Sequence, residues 1–330
     1  MKKLMALELG ALALLLIVSI AVCGNLAAPV FGQDTFLPPA MEDTYGSSAA
    51  NPTTEPTEFV PTWNTYPADR QLLAQQYFVY DCNAEDFLVL SGQETERIYP
   101  ASITKLFTAY VARQYLDLST PVVAGSELDL VAWGSSVAKI QKGDTLIVEE
   151  LIAAMILPSG NDAAYMLACA AGRVIKNNPQ LNASAAVQAF MDEMNAQAKQ
   201  LGMTGTHFVN PDGIHDSNHY TTFADLAILG RLSVSNATVM KYARVPKETV
   251  TLHGESIEWK NTNALVNPES PYYCPYAIGL KTGQTPSAGS CLLSAFLKDN
   301  QVLLIGVFGC PEEEDRFEDT LQLFNQIVLD

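Results

Sequence analysis

The stretch PASITKLFTAYVA, Pro100 to Ala112, decides how the rest of the chain is read. Its apolar residues Ile103, Leu106, Phe107, Tyr110 and Val111 recur at helical spacing, and Pro100 and Ser102 are start signals. A helix is therefore expected over 102–115. Within it sits one charge, Lys105. Stripping water from an ammonium is costly, so a lysine on an apolar helix face calls for a reason. Ser102 stands three residues earlier, on the same face. Two readings fit. In one, Ser102 caps the helix and Lys105 snorkels to solvent. In the other, a desolvated Lys105 has a depressed pKa and takes the serine's proton, while free N–H groups of the helix start hold an oxyanion. A Ser-x-x-Lys falls about once in an average chain of this length, so the pair needs partners elsewhere.

Outward from that helix, QYFVYDCNAEDFLVLSG reads as a hairpin, with strands over 76–80 and 87–90 around a turn at Asn83. Downstream, VEELIAAMILPSGNDAAYMLACAAGRVI reads as two helices broken at Pro158-Ser159-Gly160-Asn161. Further helices are expected over 185–201 and 222–232, the latter with Thr222 and Asp225 spaced as a capping box. GSCLLSAFLKDNQVLLIGVFG reads as a second hairpin turning at Asp299-Asn300, and a last helix is expected over 313–328. Strand-rich ends around a helical middle imply an α+β fold, one antiparallel sheet assembled from both chain ends.

The N-terminus, MKKLMALELGALALLLIVSIAVCGNLAAP, has a positive start and an apolar run from Leu9 to Cys23. Residues 1–32 are thus expected to be an export segment, either a cleaved signal or an anchor retained over residues 4–23. Residues 33–67, rich in Pro, Thr, Ser and Glu, cannot bury enough surface to offset their ordering entropy, and read as a tether. The globular part is expected over 68–330. Lys+Arg number 19 against 36 Asp+Glu, a net charge of −17, which argues against nucleic acid as a partner. Six cysteines show no C-x-x-C spacing and are expected mostly as small buried hydrophobes. His207, His215 and His219 cluster in a loop without a helix beneath them, which favours loop hydrogen bonding over metal binding.

Two further motifs carry chemistry. Ser159-Gly160-Asn161, at the break between apolar helices, offers a hydroxyl for proton relay and an amide for a substrate carbonyl or the lysine. On its own it reads first as an ordinary helix-breaking turn. GLKTGQT places Lys281, Thr282 and Gly283 on a strand. A cation and a hydroxyl there suit a carboxylate, and Gly283 allows close backbone approach, although an edge lysine guarding against aggregation reads the same way.

Taken together and in order, Ser-x-x-Lys, Ser-x-Asn and Lys-Thr-Gly form the signature of the penicillin-recognising serine acyltransferases. PASITKLFTAYVA, GDTLIVEELIAAMILPSGNDAA, THFVNPDGIHDSNHYTTFADLA and GLKTGQTPSAGSCLL closely resemble the serine D-alanyl-D-alanine carboxypeptidases, over roughly residues 76–309. The resemblance implies a β-lactamase/transpeptidase-like fold and a catalytic domain at 68–330. It matches Ser102 to the acylated nucleophile, Lys105 to the general base and Ser159 to the proton shuttle. Asn161 matches a substrate and lysine contact, and Lys281, Thr282 and Gly283 the strand that holds a terminal carboxylate. The backbone N–H groups of Ser102 and Gln284 match the oxyanion donors, although Gln284 replaces the His or Tyr of many relatives.

The implied substrate is a peptidoglycan stem peptide, with β-lactams as acylating inhibitors and no metal or cofactor. Many relatives add a β-rich domain and an anchoring helix beyond this point, so membrane attachment is expected through the N-terminal segment alone. Ser-Gly-Asn in place of Ser-Asp-Asn, and the absence of a glutamate from NPQLN at 178–182, argue against a class A β-lactamase. A transpeptidase, a β-lactam sensor and a non-enzymatic wall-binding module are the alternatives.

Overall fold

The computed structural model of the chain describes residues 70–328; the export segment and the whole of the tether expected from the sequence lie outside them. Among the described residues, nine strands and seven α-helices follow one another in chain order. They are β1 (Gln76–Asp81), β2 (Asp86–Leu90), α1 (Thr104–Ala112), β3 (Pro121–Val123), β4 (Thr145–Ile147), α2 (Val148–Ile156), α3 (Asn161–Ile175) and α4 (Ala183–Gln200). Then come α5 (Phe223–Val234), α6 (Ala237–Ala243), β5 (Lys247–Leu252), β6 (Glu255–Lys260), β7 (Ala277–Thr285), β8 (Gly289–Lys298), β9 (Gln301–Cys310) and α7 (Asp315–Val328).

The main sheet is antiparallel with order β2-β1-β9-β8-β7, so strands from both ends pair at its centre, as expected. Period-2 alternation sends side chains to opposite faces. On β8 and β9, Leu293, Ala295, Val302, Leu304 and Phe308 face the core shared with the helical middle. Leu292, Phe296, Leu303, Ile305 and Val307 face the other way, onto Phe317, Leu321 and Phe324 of α7. The sheet is thus the middle of three layers. Asp299 and Asn300 both have positive φ, at 49° and 63°, the primed turn that matches the twist of a two-residue hairpin.

Helix starts follow their caps. Asn182 accepts from Ala185 N at 2.9 Å, and Thr222 from Asp225 N at 3.3 Å. The second half of the expected capping box does not form: the Asp225 carboxylate accepts instead from Thr206 Oγ1, at 2.5 Å. The helix expected over 102–115 is shorter and divided. Ala101–Ile103 is a 3-10 turn and α1 begins at Thr104. Every residue of α1 except Tyr110 is buried, so it is a central helix packed on all sides rather than an amphipathic one. The antiparallel pair β3–β4 and the hairpin β5–β6 were not expected from the sequence. Among the described residues, no helix is long and apolar enough to cross a membrane.

Candidate active site

Lys105 lies in the first turn of α1 with no solvent exposure, which excludes snorkelling. Its Nζ donates to Ser102 Oγ at 2.7 Å and to the Asp212 carbonyl at 2.8 Å. Burial lowers its pKa to about 8, against partial opposition from the nearby carboxylates of Asp212 and Asp162. Ser102, on the 3-10 turn just before α1, is half-buried and makes no side-chain cap, so its hydroxyl is free to meet a ligand. The turn is held by a non-glycine residue in the left-handed region, Ala101 at φ 48°, which costs about 1–3 kcal/mol and persists only because its surroundings fix it.

The break between α2 and α3 forms where the sequence places it. Ser159 is buried with φ 61°, and Asn161 opens α3. The neighbouring segment pins this turn: Ser136 Oγ donates to the Pro158 carbonyl at 2.8 Å, and Asn161 N to the Ser136 carbonyl at 2.9 Å. Asp162 accepts three backbone N–H groups, from Ala138, Ile140 and Ala163. Asn161 Oδ1 is buried without a hydrogen-bond partner among the described residues. Neither Ser159 nor Asn161 hydrogen-bonds Lys105 through its side chain; the turn reaches the lysine electrostatically, through Asp162.

On the third wall, β7 is the edge strand of the sheet, but Lys281 does not guard an edge. It is 1% exposed and donates to Thr262 Oγ1 at 3.2 Å and to the Thr282 carbonyl at 3.2 Å. Thr282 Oγ1 donates to Thr262 Oγ1 at 2.6 Å. Burial and then repulsion from Lys105 and Arg316 push the Lys281 pKa well down. Lys281 has no carboxylate among its hydrogen-bond partners. Two buried lysines and an arginine that repel one another make a site that an anion stabilises. Gly283 brings β7 against the serine: a Cβ there would stand 3.1 Å from Ser102 N and 3.0 Å from the Pro100 carbonyl. Gln284, next along the strand, is exposed.

Three contributors were not singled out from the sequence. The Asp212 carbonyl fixes Lys105, Thr262 joins Lys281 to Thr282, and Arg316 of α7 donates to the Gly283 carbonyl at 3.3 Å. The quoted NPDGIHDSNHY stretch contains Asp212, but nothing in its spacing marks a carbonyl as a lysine acceptor. His219 is held in loop bonding, as expected. Val209 N donates to its Nδ1 at 3.2 Å, so Nε2 carries the proton and donates to Thr104 Oγ1 at 2.8 Å. Burial lowers its pKa to about 4. The five cysteines of the described residues are free and buried.

A family model described as D-alanyl-D-alanine carboxypeptidase, peptidase S11, matches residues 63–311. A D-alanyl-D-alanine carboxypeptidase of Streptomyces sp. (strain K15) is 34% identical over 235 residues, covering 68% of this chain and 77% of that protein. One from Bacillus subtilis is 28% identical over 69% of this chain, which spans 56% of that longer relative. Among solved structures, the Streptomyces K15 DD-transpeptidase superposes with TM-score 0.67 at 29% identity, covering 78% of this chain and 97% of that one. Penicillin-binding protein D2 from Listeria monocytogenes, in its cefotaxime-bound form, gives TM-score 0.63 at 27% identity, covering 78% and 98%.

Proposed function

The chain belongs to the peptidase S11 family of D-alanyl-D-alanine carboxypeptidases, and from that premise we propose that it removes the terminal D-alanine of peptidoglycan stem peptides through an acyl-enzyme on Ser102. The observation that carries the reading is the contact of 2.7 Å between Ser102 Oγ and the Nζ of a fully buried lysine. With its pKa lowered to about 8, roughly a tenth of Lys105 is the free amine at neutral pH, which is enough to serve as a base.

The terminal carboxylate of the peptide docks at Lys281 and Thr282, where a charge of its sign is missing. Ser102 Oγ attacks the penultimate carbonyl as Lys105 takes the hydroxyl proton. The oxyanion is held by the N–H groups of Ser102 and Gln284, whose strand runs against the serine at Gly283. Breaking the peptide bond releases D-alanine, its amine protonated through Ser159, and the carbonyl left on Ser102 is then hydrolysed by water. Asn161 Oδ1, buried and unpaired, suits an amide N–H of the peptide. β-Lactams, which carry an acylating carbonyl and a carboxylate, acylate the same serine. Residues 1–32 carry the domain to the outer side of the cytoplasmic membrane, where the peptidoglycan stem peptides lie, and 33–67 tether it.

The test uses the full chain. After incubation with benzylpenicillin, intact mass and peptide mapping are expected to show one adduct, on Ser102. A diacetylated stem tripeptide ending in D-Ala-D-Ala is expected to release D-alanine, and Ser102→Ala to abolish both. A folded chain with neither adduct nor D-alanine release refutes the reading. A second reading, transpeptidase, is favoured by the name of the K15 structure. Adding an amine acceptor such as glycylglycine separates the two, because a transpeptidase yields the transfer product in place of the free acid.

A further inference from the structure

The mechanism above uses only the backbone of Asp212. Its side chain is 1% exposed, on the turn that closes over α1, yet it is poorly satisfied. Oδ1 accepts the Ile214 N–H at 3.2 Å, and Oδ2 is buried without a partner. A carboxylate has room for about four hydrogen bonds, and Asp162 nearby collects three from backbone N–H groups. The turn is not free to carry the group away. Thr108 Oγ1 donates to the Pro211 carbonyl at 2.7 Å, and Asn210 brackets the turn through Gly213 N and the Ile214 carbonyl, both at 2.8 Å. The carbonyl of the same residue sits 2.8 Å from Lys105 Nζ, so the carboxylate is confined within one residue of a buried ammonium.

We propose that the Asp212 carboxylate is a positioning residue, the ionised partner that fixes the pH at which Lys105 gives up its proton and becomes a base for Ser102. The inference rests on Lys105 acting as that base. Four ionisable groups bear on the pair. Asp212 comes from the turn and Asp162 from the start of α3, Lys281 faces Lys105 from β7, and Tyr165 of α3 faces Asp212. The charge of Asp162 is already taken up by three N–H groups, and Lys281 acts in the opposite sense. Burial raises the pKa of the Asp212 carboxyl, and the adjacent Lys105 ammonium opposes that rise; in turn Asp212, ahead of Asp162, opposes the fall that burial imposes on Lys105. Neutralising Asp212 therefore lowers the pKa of Lys105. Asp212→Asn keeps shape and carbonyl but not charge, and moves the acidic limb of the reaction down by about one unit, which at a fixed pH below the limb means roughly tenfold more free amine.

The experiment is the rate of acylation by benzylpenicillin between pH 5.5 and 9, for the full chain and its Asp212→Asn and Asp212→Glu variants. Thermal melts check that each is folded. The expected result is a limb displaced to lower pH in Asn and restored toward the original position in Glu. A limb unmoved in Asn, or displaced alike in Asn and Glu, overturns the proposal, because shape rather than charge would then be what the turn supplies. Should the Asn variant not fold, Asp212→Ser removes the same charge and is judged by the same limb. A wild-type chain that is not acylated at any pH is a different result, and refutes the role given to Ser102 itself.

Discussion

Thr262 is the hinge of the cationic wall. Its Oγ1 accepts both from Lys281 Nζ at 3.2 Å and from Thr282 Oγ1 at 2.6 Å, leaving its own proton free to go elsewhere. Replacing it with the near-isosteric valine removes an acceptor from a buried ammonium. A hydrogen bond to a charged group contributes about 1.5–3 kcal/mol, or roughly ten- to a hundredfold in kcat/KM. Thr262→Val is expected to lose that much on the diacetylated tripeptide, mainly as a raised KM, because the contact belongs to carboxylate binding rather than to the reacting carbonyl. Unchanged steady-state kinetics would remove Thr262 from the site. The sequence could not have pointed to this residue. Lys281 and Thr282 are legible because the motif holds both on one strand. Thr262, the Asp212 carbonyl and Arg316 reach the site from three other segments, and contacts across such separations leave no periodicity to read. What the residues alone could not decide, burial did: two lysines that pass as a snorkeling stem and an edge guard are both almost without exposure.

At the scale of elements, legibility followed the strength of the local signal. The hairpin β8–β9 turns at Asp299-Asn300, and the break before α3 falls at Ser159-Gly160, as read from turn residues between apolar runs. The two small sheets escaped because β3 and β4 are three residues each, and because Lys247–Leu252 and Glu255–Lys260 are polar and largely exposed. Alternation is weak evidence where no face is buried. The apolar pattern of α1 suggested one buried stripe, whereas burial on all sides followed from its place between the sheet and the other helices. A crossing that the sequence gives no warning of is that of α3 and α4. A Cβ on Gly172 would stand 1.9 Å from the Ala186 carbonyl oxygen. Helix propensity favours alanine by about 1 kcal/mol, but the clash is with backbone, which cannot rotate aside, and overpacking costs about 1–3 kcal/mol. Gly172→Ala is therefore expected to be destabilising on balance, by up to about 2 kcal/mol in denaturant unfolding. A gain in stability would show that the two helices separate cheaply.

For the whole molecule, the defining constraint is that one sheet is built from both ends of the chain, and Asp319 is where those ends are joined. It has no solvent exposure, and its Oδ2 accepts Leu73 N at 2.8 Å and Ala74 N at 2.6 Å, while Oδ1 pairs with the Arg70 guanidinium. Gln322, one turn further along α7, donates to the Arg70 carbonyl. The segment leading into β1 is thus tied to a helix some 245 residues away, on the sheet face opposite the helical middle. Such a closure carries a large loop entropy, offset by contacts that exist only once the sheet is complete. Asp319→Ala strands one buried and one part-buried N–H donor and takes a carboxylate from a guanidinium that is still partly exposed. Breaking a buried pair costs about 3–5 kcal/mol, and partial exposure of Arg70 places this one near 3 kcal/mol. For a domain of this size that lowers Tm by roughly 6–12 °C. If the seam belongs to the cooperative unit, unfolding remains a single transition, displaced as a whole, and amide exchange rises in β1, β9 and α7 together. If the entry segment only frays, Tm stays where it was and exchange rises in β1 alone, and the sheet then owes its closure to β1–β9 pairing and the apolar face of α7 without help from Asp319.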